Sequence, residues 1–94
     1  VFLHGSGERG TELEKVKVHG PPMQVARGAA PPLILVSPQC EEGRRWDPER
    51  LHRLLGALQT RLHIDPQRCL CTGLSMGGFG MWQWATAHPR DLAA

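Results

Sequence analysis

Residues 68–87 read RCLCTGLSMGGFGMWQWATA, an apolar strand-like run and a helix-like run that meet at a single serine. Ser75 stands at this junction in a G-x-S-x-G pentapeptide, whose glycines are Gly73 and Gly77. A serine on a strand-to-helix turn is forced into a strained backbone conformation, and the flanking glycines let neighbouring backbone pass without a Cβ clash. The turn lifts the hydroxyl above the sheet edge, where the positive end of the helix would stabilise a developing oxyanion. The stretch therefore predicts a nucleophile elbow. The pentapeptide alone is a weak signal, because the same string also occurs in ordinary loops.

The rest of the chain predicts further strand–loop–helix units and hence an α/β fold. Its apolar run at 33–36 is hydrophobic on consecutive positions, which suits a strand buried on both faces of a parallel sheet. Alternating strands and helices imply right-handed crossovers and helices on the faces of that sheet. The predicted strands are residues 1–4, 33–36 and 68–74, the predicted helices are residues 11–18, 47–62 and 76–87, and residues 21–32 are a predicted loop.

The helix with the clearest pattern begins at Asp47-Pro48. Asp47 can cap the first turn, and Pro48 suits the first helical position. Five leucines from Leu51 to Leu62 recur at i, i+3, i+4, i+7 and i+11, so they form one continuous face that can pack against a sheet.

Length and composition limit the function classes. The 94 residues carry 11 basic and 9 acidic side chains, and the basic ones are scattered, which argues against a nucleic-acid groove. No apolar run approaches the ~18 residues of a membrane span. The chain opens without methionine inside an apolar run and ends just after a helix. We therefore expect residues 1–94 to be part of one domain, incomplete at both ends. Compartment and oligomeric state leave no signal in these residues.

Residues 5–10 form a glycine-rich loop after the first strand, and they match G-x-G-x-x-G. A dinucleotide site is disfavoured because the next helix is short and is broken at residues 20–22. A phosphate loop is disfavoured because Thr11 stands where a lysine is needed. Two interpretations remain: a plain flexible turn, or a loop whose backbone N–H is an oxyanion donor.

Four motifs occur in order: FLHGSGERG at 2–10, SPQC at 37–40, WDP at 46–48 and GLSMGGFG at 73–80. Together they resemble the α/β-hydrolase superfamily, in particular its phospholipase/carboxylesterase-like predicted esterases near the feruloyl-esterase and polyhydroxybutyrate-depolymerase relatives. The resemblance covers nearly the whole chain. It implies that residues 1–94 are a partial α/β-hydrolase domain, from the oxyanion loop on the third strand to the helix after the elbow.

The resemblance implies hydrolysis of a small-molecule carboxylic ester through an acyl-enzyme on Ser75, with no cofactor and no metal. The backbone N–H of Met76 is then one oxyanion donor and that of Ser6 the other, although Gly5 and Gly7 stay open as alternatives. Two other functions also stay open: a serine peptidase of the prolyl-oligopeptidase type, and a hydrolase-like binding module without catalysis.

In that family the acidic residue and the histidine of the triad follow later strands than the serine. His88 lies 13 positions beyond Ser75, roughly 20 Å along a helix at ~1.5 Å per residue. His4 is the one histidine expected near the elbow, where bracing the oxyanion loop is favoured over a role as general base. We therefore expect the 94 residues alone to be catalytically inactive and marginally folded.

We expect most of the remaining cysteine and large apolar side chains to pack in the core and not to react or bind. The odd cysteine count excludes a disulfide framework, and Cys69 and Cys71 share one strand face, so we expect them in the core and not in a zinc site. Trp46, and with it His4, is a candidate substrate wall, with simple packing as the alternative. Four large residues after the elbow are expected in the core: Phe79, Met81, Trp82 and Trp84.

Overall fold

The computed structural model describes residues 1–94, and its sheet consists of two short parallel strands, β1 (Phe2–Leu3) and β2 (Thr72–Gly73). Phe2 lies opposite Thr72 and Leu3 opposite Gly73. The ladder extends by one residue at each end, because the Thr72 N–H donates to the Val1 carbonyl and the Leu74 N–H to the Leu3 carbonyl, each at 3.0 Å. Parallel pairing of the first and last predicted strands is confirmed, although both strands are shorter than predicted.

The middle strand predicted at residues 33–36 does not form, so the prediction of three strands is wrong. A single backbone hydrogen bond joins this segment to the sheet: the Phe2 N–H of β1 donates to the Val36 carbonyl at 2.9 Å. The Leu33 N–H instead donates to the Pro31 carbonyl two residues before it, which bends the chain and breaks the regular strand spacing. Leu33 and Ile34 are 58% and 51% exposed, so the expected burial on both faces is absent as well.

Three α-helices accompany the sheet: α1 (Gly20–Ala26), α2 (Pro48–Arg61) and α3 (Met76–Ala87). The predicted bounds of α3 are confirmed, as is the start of α2. The helix α1 replaces part of the predicted loop at 21–32. Its two prolines lie in the first turn, where a helix needs no N–H from them. They begin this helix, whereas they were expected to end the preceding one. The helix predicted at 11–18 is a shorter 3₁₀ helix, Leu13–Lys17.

The N-terminus of α2 has the predicted cap, since Asp47 Oδ1 accepts the Glu49 N–H at 2.9 Å. Its leucine face is buried over the first two turns, where Leu51 and Leu55 are 3% and 5% exposed; Leu54 and Leu58 are partly buried. The last leucine of the series, Leu62, lies beyond the helix and is 41% exposed. The predicted apolar face is therefore confirmed from Leu51 to Leu58 and not at Leu62.

The core lies between β1, α2 and α3. Cys69 and Cys71 belong to it, as predicted, and so does Trp84. Phe79 and Trp82 were expected in the core, but they are 74% and 69% exposed because they face away from α2 and β1. No helix is both long enough and apolar enough to cross a membrane. The eight buried core residues are Leu3, Cys40, Trp46, Leu51, Leu55, Cys69, Cys71 and Trp84.

Candidate active site

Ser75 occupies a strained backbone conformation between β2 and α3, with φ 53° and ψ −114°. It is the one residue other than glycine with a positive φ, as predicted from its place in the sequence. The turn is fixed on both sides. Before it, the Leu74 N–H donates to the Leu3 carbonyl, and after it the Gly78 and Phe79 N–H groups donate to the Ser75 carbonyl. The hydrogen bonds of the ladder and of the first helical turn together keep Ser75 in this strained conformation.

The glycines on either side of Ser75 allow backbone segments to approach too closely for any side chain. A Cβ on Gly77 would overlap the Leu3 carbonyl and lie 2.8 Å from the His4 carbonyl oxygen. A Cβ on Gly73 would overlap the backbone carbonyl of Gly77. The glycine spacing of the pentapeptide therefore follows from the packing of α3 onto the end of β1.

The first turn of α3 leaves one backbone donor free next to Ser75. The N–H groups of residues 77–79 donate to the carbonyls of Leu74 or Ser75 at 2.8–3.2 Å. The Met76 N–H has no acceptor in the chain, and no side chain caps the helix. An unpaired N–H at a helix N-terminus, together with the helix dipole, attracts negative charge.

The loop after β1 approaches Ser75 from the other side. Gly5 is buried there, and a Cβ built on it would lie 3.7 Å from the Ser75 Cβ. Ser6 begins a 3₁₀ turn, Ser6–Glu8, and its N–H has no acceptor in the chain. The Ser6 carbonyl accepts from Arg9 Nε at 3.0 Å, and the same guanidinium donates to the Arg44 carbonyl at 3.0 Å. Arg9 thus holds the loop in place, a role that nothing in the sequence signalled.

A cleft of about 290 Å³ opens beside Ser75 and brings together half of the predicted site residues. Ser6, Ser75, Met76 and Trp46 all line it. Phe79, which was expected in the core, lines it as well and supplies exposed aromatic surface. The other lining residues are Arg9, Arg45, Gly80 and Gln83.

His4 lies beneath this cleft and does not line it, being 1% exposed. Its Nε2 accepts the Cys40 N–H at 2.9 Å, so the ring proton is on Nδ1, which donates to the Gly5 carbonyl at 2.6 Å. Its own carbonyl accepts the Trp46 indole N–H at 3.0 Å, and the two rings pack with centroids 4.8 Å apart. Both ring nitrogens are occupied, so His4 braces the loop that carries Gly5.

The Ser75 hydroxyl has no hydrogen-bonded base among residues 1–94 in this structure. Neither a histidine nitrogen nor a carboxylate oxygen makes a hydrogen bond with the Ser75 hydroxyl. The four histidines other than His4 do not line the cleft: His19, His52, His63 and His88.

The cysteines are free thiols within the core, and none of them lines the cleft beside Ser75. Burial raises the pKa of the Cys71 thiol above its ordinary value, and burial likewise raises the pKa of Cys40. A raised pKa keeps a thiol protonated at neutral pH, and the protonated form does not attack a carbonyl.

Comparison with known proteins supports the same assignment of fold. No protein-family model matches the chain, and no curated protein matches it either. Among solved structures, the chain is similar to one described as the crystal structure of a thermostable esterase, with a TM-score of 0.78 and 28% sequence identity. The match covers 98% of this chain and 30% of the esterase, so the chain spans less than a third of that protein's length. This likeness supports an α/β-hydrolase-like fold for the chain.

Proposed function

We propose that the full-length protein is a serine esterase that forms an acyl-enzyme on Ser75. The main support for this proposal is the conformation of Ser75, a strained non-glycine residue between β2 and α3 that is exposed at the cleft. Strain of about 1–3 kcal/mol persists only where the surrounding structure enforces it, and such residues concentrate at functional sites.

The free N–H of Met76 supports this proposal, because acyl transfer needs donors directed at the oxygen that becomes negative. The second donor is the N–H of Ser6. Among the three candidate loop amides, Ser6 is the one whose residue lines the cleft, whereas Gly5 is buried and Gly7 lies outside it. The two amides would bind the oxyanion from opposite sides, one on the helix and one on the loop.

The catalytic steps follow from the proposed roles. The Ser75 hydroxyl attacks the ester carbonyl carbon while its proton passes to a histidine outside residues 1–94. The tetrahedral intermediate expels the alcohol, which takes that proton back, and water then hydrolyses the acyl-serine. The exposed Phe79 side chain supplies most of the apolar contact surface for the ester, and Trp46, which is 8% exposed, adds only the edge that lines the cleft.

The experiment is fluorophosphonate labelling of the full-length protein, with the labelled peptide identified by mass spectrometry. We expect label on Ser75 and none after Ser75→Ala. Ser6→Ala is the matched control, because it removes a neighbouring hydroxyl but keeps the proposed amide donor. Label on Ser6 in place of Ser75 would contradict the assignment.

A substrate comparison separates the esterase from the alternatives. p-Nitrophenyl acyl esters should be hydrolysed and peptide p-nitroanilides should not. Turnover of the anilides would favour the peptidase of the prolyl-oligopeptidase type. A full-length protein that neither labels nor turns over either substrate would favour a binding module that keeps the fold without the chemistry.

A further inference from the structure

A group of metal-ligand side chains lies at the C-terminal end of α3, at the opposite end of the helix from Ser75. His52 projects from α2, His88 follows the last residue of α3, and Asp91 comes three positions later. Each offers one ligand atom, and these atoms lie within 4.8 Å of one another. The side chains of His88 and Asp91 are 21% and 14% exposed and that of His52 is 47% exposed, so two are held and one is free to adjust.

The backbone after α3 fixes two of these residues on a single turn. The His88 N–H donates to the Trp84 carbonyl at 2.8 Å, and the Asp91 N–H donates to the His88 carbonyl at 3.0 Å. The Trp84 indole N–H donates to Asp91 Oδ2 at 2.8 Å. The indole thus orients the Asp91 carboxylate and leaves Oδ1 without a hydrogen bond.

The imidazole rings of His52 and His88 are also oriented. They stack with centroids 4.0 Å apart and an angle of 5° between the planes. His88 Nε2 lies 2.6 Å from Glu49 Oε1, and His52 Nδ1 lies 2.8 Å from Asp91 Oδ2. A histidine that ligates a metal usually donates its other ring N–H to a carboxylate, which fixes the ring and raises its basicity. Glu49 occupies that position for His88, whose Nδ1 is left available.

We propose that His52, His88 and Asp91 bind a divalent transition-metal ion of the zinc class, with water in the fourth position. Two imidazoles and one carboxylate are a donor set that Zn²⁺ favours, whereas Mg²⁺ and Ca²⁺ prefer oxygen ligands alone. Tetrahedral zinc with Zn–N bonds of ~2.0–2.1 Å holds its ligand atoms roughly 3.3 Å apart. In the stacked arrangement the in-plane lone pairs of the two rings run parallel and do not meet at one point. The exposed His52 side chain therefore rotates out of the stack and exchanges its hydrogen bond to Asp91 for a bond to the ion.

The ion would link α2 to the end of α3. These helices already pack against each other, and a shared ligand set fixes their ends at the point farthest from Ser75. Its expected effect is structural: binding to the folded state alone raises the melting temperature, by an amount that grows with the logarithm of the metal concentration above Kd.

The test uses the full-length protein stripped of metal by chelation and dialysis. Calorimetric titration with ZnCl₂ should show saturable one-to-one binding, and CoCl₂ should give the visible absorption of a tetrahedral site. The double variant His52→Gln/His88→Gln should bind zinc about 100-fold more weakly and lose both the cobalt spectrum and the zinc-dependent rise in melting temperature.

The matched control is His63→Gln, an exposed histidine outside the cluster, which should leave zinc affinity unchanged. Asp91 is not substituted, because its loss would also leave the Trp84 indole N–H unpaired. Circular dichroism confirms that each variant is folded. Zinc binding of equal affinity in the double variant, or no saturable binding in the unmodified protein, would overturn the proposal.

Discussion

The N-terminus of α2 is capped by its own side chain, whereas the N-terminus of α3 keeps a backbone donor free. Both helices follow a residue type that commonly caps helices, Asp47 for α2 and Ser75 for α3. Asp47 has extended backbone and its side chain accepts the Glu49 N–H, and Pro48 fills the next position, where no N–H is needed. Ser75 has a positive φ, its side chain caps nothing, and the Met76 N–H stays free.

This comparison shows that residue type alone does not decide what a helix start does. At α2 the side chain satisfies the helix end, so the favourable interaction is already made in the resting protein. At α3 the ladder to Leu3 turns the Ser75 hydroxyl outward, so the donor stays available for a ligand. The conformation of the capping residue therefore separates a closed helix end from one that can bind an anion.

The largest expected effect tests the open helix end. In the full-length protein Ser75→Ala should lower kcat for p-nitrophenyl esters by about 10⁴-fold or more, because the attacking oxygen is lost. Stability should change little, since the Ser75 hydroxyl makes no capping bond, and alanine relieves none of the strain. Kinetics and a thermal melt on the same preparation check both parts. A melt that falls by many degrees would mean that this serine caps its helix after all.

The second effect tests how the turn is held. Gly77→Ala places a Cβ into the Leu3 carbonyl, a rigid backbone atom that cannot move aside. We expect a loss of about 3 kcal/mol or more in the free energy of unfolding, with β1 and α3 forced apart. Urea denaturation of the full-length protein measures it.

Gly78→Ala is the matched control in the same helical turn. The nearest atom to its Cβ position, apart from its own helix, is the Gly73 carbonyl oxygen at 3.6 Å, an ordinary contact. Alanine is also the better helix former by about 1 kcal/mol, so stability should hold or rise slightly. Equal losses in both variants would show that helix flexibility, and not the approach of β1, explains the Gly77 effect.

Local sequence signals predicted α2 and α3 well and the middle of the sheet poorly. Capping and apolar spacing act within a few residues, so the start of α2 and both ends of α3 could be located. A parallel strand depends instead on a partner distant in the chain, and the segment at 33–36 has one hydrogen bond to β1. The prolines at the start of α1 were misinterpreted because a proline pair can end one element or begin another.

In the candidate site too, features that arise within one turn could be predicted, and contacts between distant segments could not. The strain at Ser75 could be predicted because it arises within one turn, and the approach of the β1 loop followed from the family resemblance. The group at His52, His88 and Asp91 could not be predicted, because its members are separated by up to 39 positions and meet only through the packing of α2 on α3. Phe79 was placed in the core because its apolarity gave no information about which face of α3 it occupies.

A smaller effect tests whether His4 braces the site or reacts in it. His4→Leu leaves the buried Cys40 N–H without an acceptor, which should cost about 1–3 kcal/mol in the free energy of unfolding. His4→Gln, which can still accept that N–H, is the matched control and should recover much of the loss. The kcat of both variants should fall by less than about tenfold, with an unchanged pH profile. A loss of the acidic limb of that profile, where a general base becomes protonated, would instead identify His4 as the general base.

The smallest expected effect tests the closed helix end. Asp47→Ala removes the acceptor for the Glu49 N–H, and capping residues replaced by alanine typically lose about 1 kcal/mol. Asp47→Asn keeps an oxygen acceptor in the same place, so its free energy of unfolding should lie close to that of the unmodified protein. Neither change should alter kcat, because the cap lies outside the cleft that Ser75 lines. Equal losses in both variants would indicate that the carboxylate acts through its charge on the helix dipole and not through the hydrogen bond, and raising the salt concentration would then reduce the difference from the unmodified protein.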